Sequence, residues 1–228
     1  MDAISTTQKP IHYPETDGKP MAETDVHIDL LIYLREALRD HFRDGPRVYV
    51  AGNMLLYYEE GNPAACVAPD VFVVQGVPKA ERRTYLLWEE SQPPTVVLEI
   101  TSRGTRLEDL GTKRALYAML GVREYFLYDP LGEYLQPPLQ GYRLQEEEYQ
   151  RIPPGSEGEL ASQELGLELR VEEGRLRLVN PATGARLLTP GEVQAAWRAE
   201  AAARRAAEAE VERLRTELAR QRGDRSQG

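Results

Sequence analysis

The chain has 228 residues, enough for one domain with an appendage or for two small ones. Hydrophobic residues make up 41% and charged residues 29%, a globular composition, and no run approaches the ~18 apolar residues of a membrane span. The net charge of −9 excludes a protein that coats nucleic acid non-specifically, and the single cysteine, Cys66, excludes an internal disulfide or a multi-cysteine zinc site and fits a reducing cytoplasm.

The first ten residues, MDAISTTQKP, lack the basic stretch and apolar core of a secretory signal. Residues 1–20 contain Pro10, Pro14, Gly18 and Pro20 without periodicity and read as a flexible arm. A helix is expected over about 23–42, where Leu30, Leu31, Leu34, Ala37, Leu38 and Phe42 recur at helical spacing. Gly45-Pro46 ends it. The run 48–58 is rich in Val, Leu and Tyr, with a Gly52-Asn53 break inside it. Runs at 71–74 and 95–101 are β-branched and almost wholly apolar, as in strands buried on both faces. Between them, 78–94 is a long, charged connection. A second helix is expected over 108–120 with Gly121 as its C-terminal cap, then a strand over 124–128 stopped by Asp129-Pro130. The core thus reads as α/β, a sheet of mixed strand direction flanked by helices.

After Pro137-Pro138 the pattern becomes hairpins. Segments 142–144 and 149–152 flank a Glu-rich turn, 167–171 and 176–179 flank Glu-Glu-Gly, and 186–188 follows a further turn. This reads as a β-hairpin extension of the core (131–189, on a core of 23–130, within a domain of 21–189). Thr189-Pro190 is an N-cap with proline at the first helical position, and it opens a C-terminal helix over 190–228. Val193, Trp197, Ala207, Val211, Leu214 and Leu218 fall on one 3-4 register that Glu200 and Arg204 interrupt. Two readings stand: a coiled coil joining a homodimer, or a lone solvated helix.

Charge is uneven. Residues 144–174 hold nine Glu against Arg151 and Arg170, whereas Arg82, Arg83, Arg103, Arg106, Lys113 and Arg114 cluster in the central segment. A polyanion site would therefore be a local basic cleft on an acidic body.

No Walker A loop, GxGxxG or HExxH is present. With three histidines and one cysteine, metal chemistry would rest on carboxylates, and oxygen ligands select hard cations such as Mg²⁺ or Mn²⁺. Asp70 follows Pro69 at the start of an apolar run, and Glu99 sits inside Thr-Val-Val-Leu-Glu-Ile-Thr. A charge in a buried strand is costly unless paired or bound to metal. The plainer readings are a strand-entry turn residue for Asp70 and a structural ion pair for Glu99. On the second helix Asp109, Lys113, Tyr117 and Leu120 share a face, which directs Lys113 toward the preceding strand; the alternative is an exposed Asp109–Lys113 pair. Thr101 and Ser102 could position water or a phosphate oxygen, or simply end a strand in a turn. Two carboxylates holding a cation beside a lysine suit phosphodiester hydrolysis.

These residues carry a resemblance. Pro69-Asp70, Glu99-Ile100-Thr101-Ser102, Asp109-Leu110-Gly111-Thr112-Lys113, Tyr117 and the run Leu-Gly-Val-Arg-Glu-Tyr-Phe-Leu-Tyr-Asp-Pro at 120–130 resemble the Uma-type restriction endonucleases, a bacterial family of the PD-(D/E)XK nuclease superfamily. The resemblance covers 23–130 and extends in arrangement to 188. It implies a restriction-endonuclease-like fold, Asp70 and Glu99 as Mg²⁺ ligands with Mn²⁺ as a substitute, and the backbone carbonyl of Ile100 as a further ligand. The superfamily lysine two residues after the glutamate is absent; Thr101 stands there, and the family's use of a helix lysine points to Lys113. Some members add a glutamate from the first helix, a part that Glu23 could play with His27 one turn on; helix-start charge compensation and a core-edge histidine are the alternatives.

The expected function is a cytoplasmic, Mg²⁺-dependent DNA endonuclease, homodimeric through its C-terminal helix. The rivals are a catalytically inactive nuclease-fold module that binds DNA or protein, and a scaffold carried by the coiled coil.

Overall fold

The computed structural model describes residues 11–16 and 24–225, with side chains to 218. The chain divides into two compact units, Met1–Leu187 and Leu188–Gly228.

In the first unit, helix α1 (Asp25–His41) starts at Thr24, whose hydroxyl accepts the His27 N–H at 3.3 Å and so satisfies one orphan donor of the first turn. Its apolar face, Tyr33, Leu34, Ala37 and Leu38, is buried. Strand β1 (Val48–Gly52) breaks at Asn53, which takes a left-handed φ of 49°, and the chain resumes as β2 (Leu56–Tyr57). Next come β3 (Cys66–Val67), β4 (Val71–Gln75), β5 (Tyr85–Leu86), the short helix α2 (Leu87–Glu90) and β6 (Val96–Ile100). The charged 78–94 connection thus carries its own strand and helical turn. The second helix opens as a π-helical segment (Glu108–Lys113) and continues as α3 (Arg114–Met119), closed by Gly121 at φ +81°. Strands β7 (Glu124–Tyr128), β8 (Leu139–Gln145), β9 (Glu148–Arg151), β10 (Leu160–Ser162), β11 (Leu167–Glu172) and β12 (Arg175–Val179) complete the unit.

The main sheet has the order β1-β4-β6-β7-β8-β9 and is mixed: β6 and β7 are parallel, and the other neighbours antiparallel. Strand alternation sorts side chains into two cores. Val96, Leu98 and Ile100 of β6 face α1 in one, while Val97 of β6 packs with Tyr117, Tyr125 and Leu127 in the other, under the second helix. The sheet is therefore flanked by helices on both faces, as the sequence pattern required.

The hairpin extension joins the first core. Leu160, Leu167, Leu169, Leu176 and Leu178 pack with α1 residues, and the Tyr33 hydroxyl accepts the Leu178 N–H at 2.9 Å. Buried Glu124 at the start of β7 ties it down: its carboxylate takes Arg143 Nη2 at 2.8 Å, the Gln163 N–H at 3.0 Å and the Ser162 hydroxyl. Residues 11–16, read from sequence as part of a flexible arm, lie on the β2 side. Tyr13 packs edge-on against Tyr57, whose hydroxyl donates to the Pro14 carbonyl at 2.7 Å. The rest of the arm, and Glu23, lie outside the described residues.

In the second unit, α4 (Pro190–Arg225) opens with a reciprocal capping box: Glu192 N–H to Thr189 Oγ1 at 3.2 Å and Thr189 N–H to Glu192 Oε2 at 2.8 Å. No helix among the described residues is long and apolar enough to cross a membrane.

Candidate active site

Antiparallel pairing of β4 with β6 brings the start of one strand beside the end of the other. Asp70 precedes β4 and Glu99 is the penultimate residue of β6, so their carboxylates meet at one end of the sheet. Asp70 Oδ2 accepts the Ile100 N–H at 2.7 Å, and Glu99 Oε2 accepts the Asp70 N–H at 3.3 Å. Each carboxylate is thus held by the other strand's backbone.

The Gly52-Asn53 break explains the placement of Asp70. The Asn53 N–H lies 3.1 Å from the Pro69 carbonyl and 3.0 Å from that of Asp70. A β-carbon on Gly52 would come within 2.9 Å of the Asp70 carbonyl oxygen, so the approach needs glycine. From the other side, His27 Nε2 sits 3.2 Å from Asp70 Oδ1.

Lys113 and Asp109 reach Glu99 from the π-helical segment. Lys113 Nζ is 3.2 Å from Glu99 Oε1 and 3.0 Å from Asp109 Oδ1. The Lys113 ammonium is thus the cation that meets the buried Asp109 Oδ1. The pair is not the exposed surface pair that helical spacing alone allowed: the Lys113 side chain is 13% exposed and that of Asp109 2%. Tyr117, one turn on, donates its hydroxyl to Glu99 Oε1 at 2.6 Å, and Tyr125 of β7 donates to the Asp109 carbonyl at 2.9 Å. π-Helical turns often occur at functional sites, and here the wide turn keeps Asp109 and Lys113 together on the inner face.

Burial, reinforced by the Asp70 and Asp109 charges, pushes the Glu99 carboxyl up to about 8 against the opposing pull of Lys113 and Tyr117. Burial would lower Lys113, but the Glu99 and Asp109 carboxylates outweigh it and hold its ammonium charged. Three carboxylates therefore surround one ammonium and one imidazole.

The structure brings together Asp70, Glu99, Lys113, Asp109 and His27. It gives Thr101 and Ser102 other partners. Thr101 alternates onto the Glu99 side of the sheet, but its Oγ1 accepts the Tyr134 hydroxyl at 2.6 Å, and Ser102 closes a local turn with Thr105, whose Oγ1 accepts the Ser102 N–H at 3.0 Å. Among the described residues, no group of three or more His, Cys, Asp and Glu side chains is arranged to hold a metal ion.

A cavity of about 530 Å³ lies along Val48–Val50 of β1, the edge strand of the sheet. Arg35 and Arg39 of α1, with Lys79 and Arg82 of the 78–94 connection, line it together with Glu81. Arg39 Nε caps the Val50 carbonyl at 3.3 Å; Arg82 lies over the Tyr49 ring and is clamped by Glu90. The Arg35 side chain also reaches the Gly52 position, against the Asp70 backbone. Of the basic residues that cluster in the central segment of the sequence, Arg82 alone is in this lining.

A family described as putative restriction endonuclease, Uma2, matches residues 7–178, most of the first unit. The chain belongs to the Uma2 family. No curated protein matches it. A crystal structure from Anabaena variabilis, described as a putative nuclease belonging to DUF820, is similar at 14% identity with a TM-score of 0.46, covering 66% of this chain and 81% of that one.

For this Uma2 chain, sequence reasoning passed over Tyr117 as a site residue, and it missed Tyr134 and the three other cations of the cleft. Tyr117 was legible from its place on the Asp109–Lys113 face. Arg35, Arg39 and Lys79 come from two segments that only the fold brings together.

Proposed function

We propose that this Uma2 protein is a cytoplasmic, divalent-metal-dependent DNA endonuclease that hydrolyses phosphodiester bonds at the Asp70–Glu99–Lys113 cluster. The observation that carries the reading is the convergence of three carboxylates and one lysine at one end of the sheet, two of the acids buried to within a few percent. Family membership supports it, as does a basic cleft along β1.

The residues fit a hard cation. Burial with excess negative charge holds Glu99 partly protonated near neutrality, and the carboxylates there outnumber the Lys113 ammonium they share, so added positive charge would be stabilised. Asp70 and Glu99 would hold Mg²⁺, or Mn²⁺ in its place. The Ile100 N–H points to Asp70, and in an extended strand a residue's carbonyl lies on the same edge, so that oxygen would serve as the third protein ligand. Two side-chain ligands and one carbonyl leave positions for water, in keeping with the habits of Mg²⁺ sites. When bound, the cation supplies polarisation of a phosphoryl oxygen and a lowered pKa for a bound water.

The chain's own groups do the rest. His27 fixes the Asp70 carboxylate, and Tyr117 fixes that of Glu99. Lys113 keeps its proton, so it acts as a fixed positive charge facing the attacked phosphate and orienting the water. The cleft of Arg35, Arg39, Lys79 and Arg82 offers a track for the DNA backbone, where phosphate contacts set position.

One observation favours a second reading, a catalytically inactive DNA-binding module: Thr101 replaces the superfamily lysine and is committed to Tyr134. Calorimetric titration with Mg²⁺, alongside single-turnover cleavage, separates the two. The nuclease takes up the cation in wild type but not in Asp70→Ala, and Lys113→Ala slows cleavage by orders of magnitude while still binding metal. A wild type that binds DNA but neither takes up cation nor cleaves is the module.

A further inference from the structure

Helix α4 carries an exposed apolar stripe. Val193 is 44% exposed, Trp197 76%, Val211 47%, Leu214 51% and Leu218 49%. The stripe follows the alternating three- and four-residue steps of a coiled-coil seam, and two charges, Glu200 and Arg204, occupy its middle.

Between Val193 and Val211 the order of residues along this seam is complementary to itself when reversed. Turned end for end about Ala202, Val193 meets Val211, Trp197 meets Ala207, and Glu200 meets Arg204. Each pairing then occurs twice by two-fold symmetry. The bulky Trp197 falls opposite a small residue, and each interior charge falls opposite its counter-ion. Antiparallel coiled coils pair unlike seam positions, and every pair between 193 and 211 is of that kind, while Leu214 and Leu218 run to and past the start of the partner's helix. Ala196, Ala201 and Ala203 flank the centre, so close approach meets neither bulk nor like charge.

The other arrangements fail on the same residues. A parallel, in-register pair sets Glu200 against Glu200 and Arg204 against Arg204. A one-heptad slide of the antiparallel pair covers Leu214 with Trp197 and Leu218 with Val193, but it strands Glu200 against Val211 and Arg204 against Ala207, two unpaired charges inside the seam. Among the described residues Arg204 pairs with Glu208 at 3.4 Å, with both groups largely exposed, a pair of little worth that yields easily to a better one.

We propose that α4 is a homodimerisation element that pairs with α4 of a second copy as an antiparallel two-stranded coiled coil centred on Ala202, with the two Glu200–Arg204 pairs fixing register and direction. A polar pair inside an apolar seam is a known device for specifying register at some cost in stability. The inference rests on α4 alone and holds whether or not the first unit cleaves DNA.

The test uses the full chain. Light scattering at micromolar concentration is expected to give twice the chain mass. Glu200→Arg or Arg204→Glu alone places like charges together and is expected to raise the dimer dissociation constant by about tenfold or more. The exchange Glu200→Arg with Arg204→Glu restores the dimer, and far-UV dichroism confirms that the helix survives in each variant. For direction, spin labels are placed at Thr216→Cys or Ala202→Cys in a Cys66→Ser background. The antiparallel register separates the two Thr216 labels by about 42 Å along the axis and leaves the Ala202 labels level. A monomer, a dimer indifferent to the single charge reversals, a short Thr216 distance (parallel helices) or one near about 32 Å (the slid register) would each overturn the proposal.

Discussion

The perturbation Glu99→Gln isolates the electrostatics of the cluster. The Glu99 side chain is 1% exposed, with Asp70 and Asp109 as acidic neighbours, and its carboxyl is raised from 4.5 to about 8. Between those values the folded protein holds a proton that the unfolded chain releases. The stability this group contributes is therefore full below about pH 4.5 and is lost as pH rises toward about 8, at about 1.4 kcal/mol per pH unit and no more than about 5 kcal/mol in all. Glutamine cannot titrate, although its amide faces the Asp70 N–H and brings a cost that does not vary with pH. Urea unfolding of the full chain in chelator, from about pH 5 to about pH 8, should show the advantage of wild type over Glu99→Gln shrinking steadily with pH. Adding Mg²⁺, which favours the ionised form, should flatten that slope at the upper end. A wild-type advantage that stays constant across the range would refute the raised carboxyl and, with it, the picture of a buried acid cluster waiting for a cation.

Other substitutions probe separate parts of the structure. Gly52→Ala drives a β-carbon against the Asp70 carbonyl and should cost about 1–3 kcal/mol in urea unfolding while weakening Mg²⁺ uptake by calorimetry. Glu124→Ala strips the buried partner of Arg143 and Ser162 and should cost about 3–5 kcal/mol, yet leave cation affinity unchanged in the fraction that folds. The pair Arg35→Ala and Arg39→Ala should weaken DNA binding uniformly across sequences and reduce the salt slope of the binding constant by about one for each phosphate no longer neutralised; an unchanged slope would remove the cleft from the DNA path.

The parts legible in the sequence were those written in local periodicity. The apolar runs before Gln75, through Glu99 and up to Tyr128 could only be interior strands, and a lone acid at the end of each of the first two drew attention through its cost. The four-residue steps from Asp109 to Lys113 to Tyr117 aligned the lysine with the apolar face and so with Glu99. What stayed hidden depends on tertiary pairing. The two-residue strands at Leu56, Cys66 and Tyr85 carry too little pattern to stand out from loops, and β10 is three residues long. No local pattern marked 108–113 as π-helical. Thr101 gave no sign that its hydroxyl belongs to Tyr134, 33 residues away. The cleft needed α1 and the 78–94 connection to meet along an edge strand, an adjacency that no window of sequence contains.

The most direct test is cleavage of supercoiled and single-stranded DNA by the purified full chain in Mg²⁺ or Mn²⁺, with Asp70→Ala and Glu99→Ala beside wild type. A nuclease centred on these two carboxylates predicts nicking by wild type that disappears with chelator and in both variants, each still folded. Cleavage that survives either substitution, or a folded wild type that cleaves nothing with either metal, would contradict it.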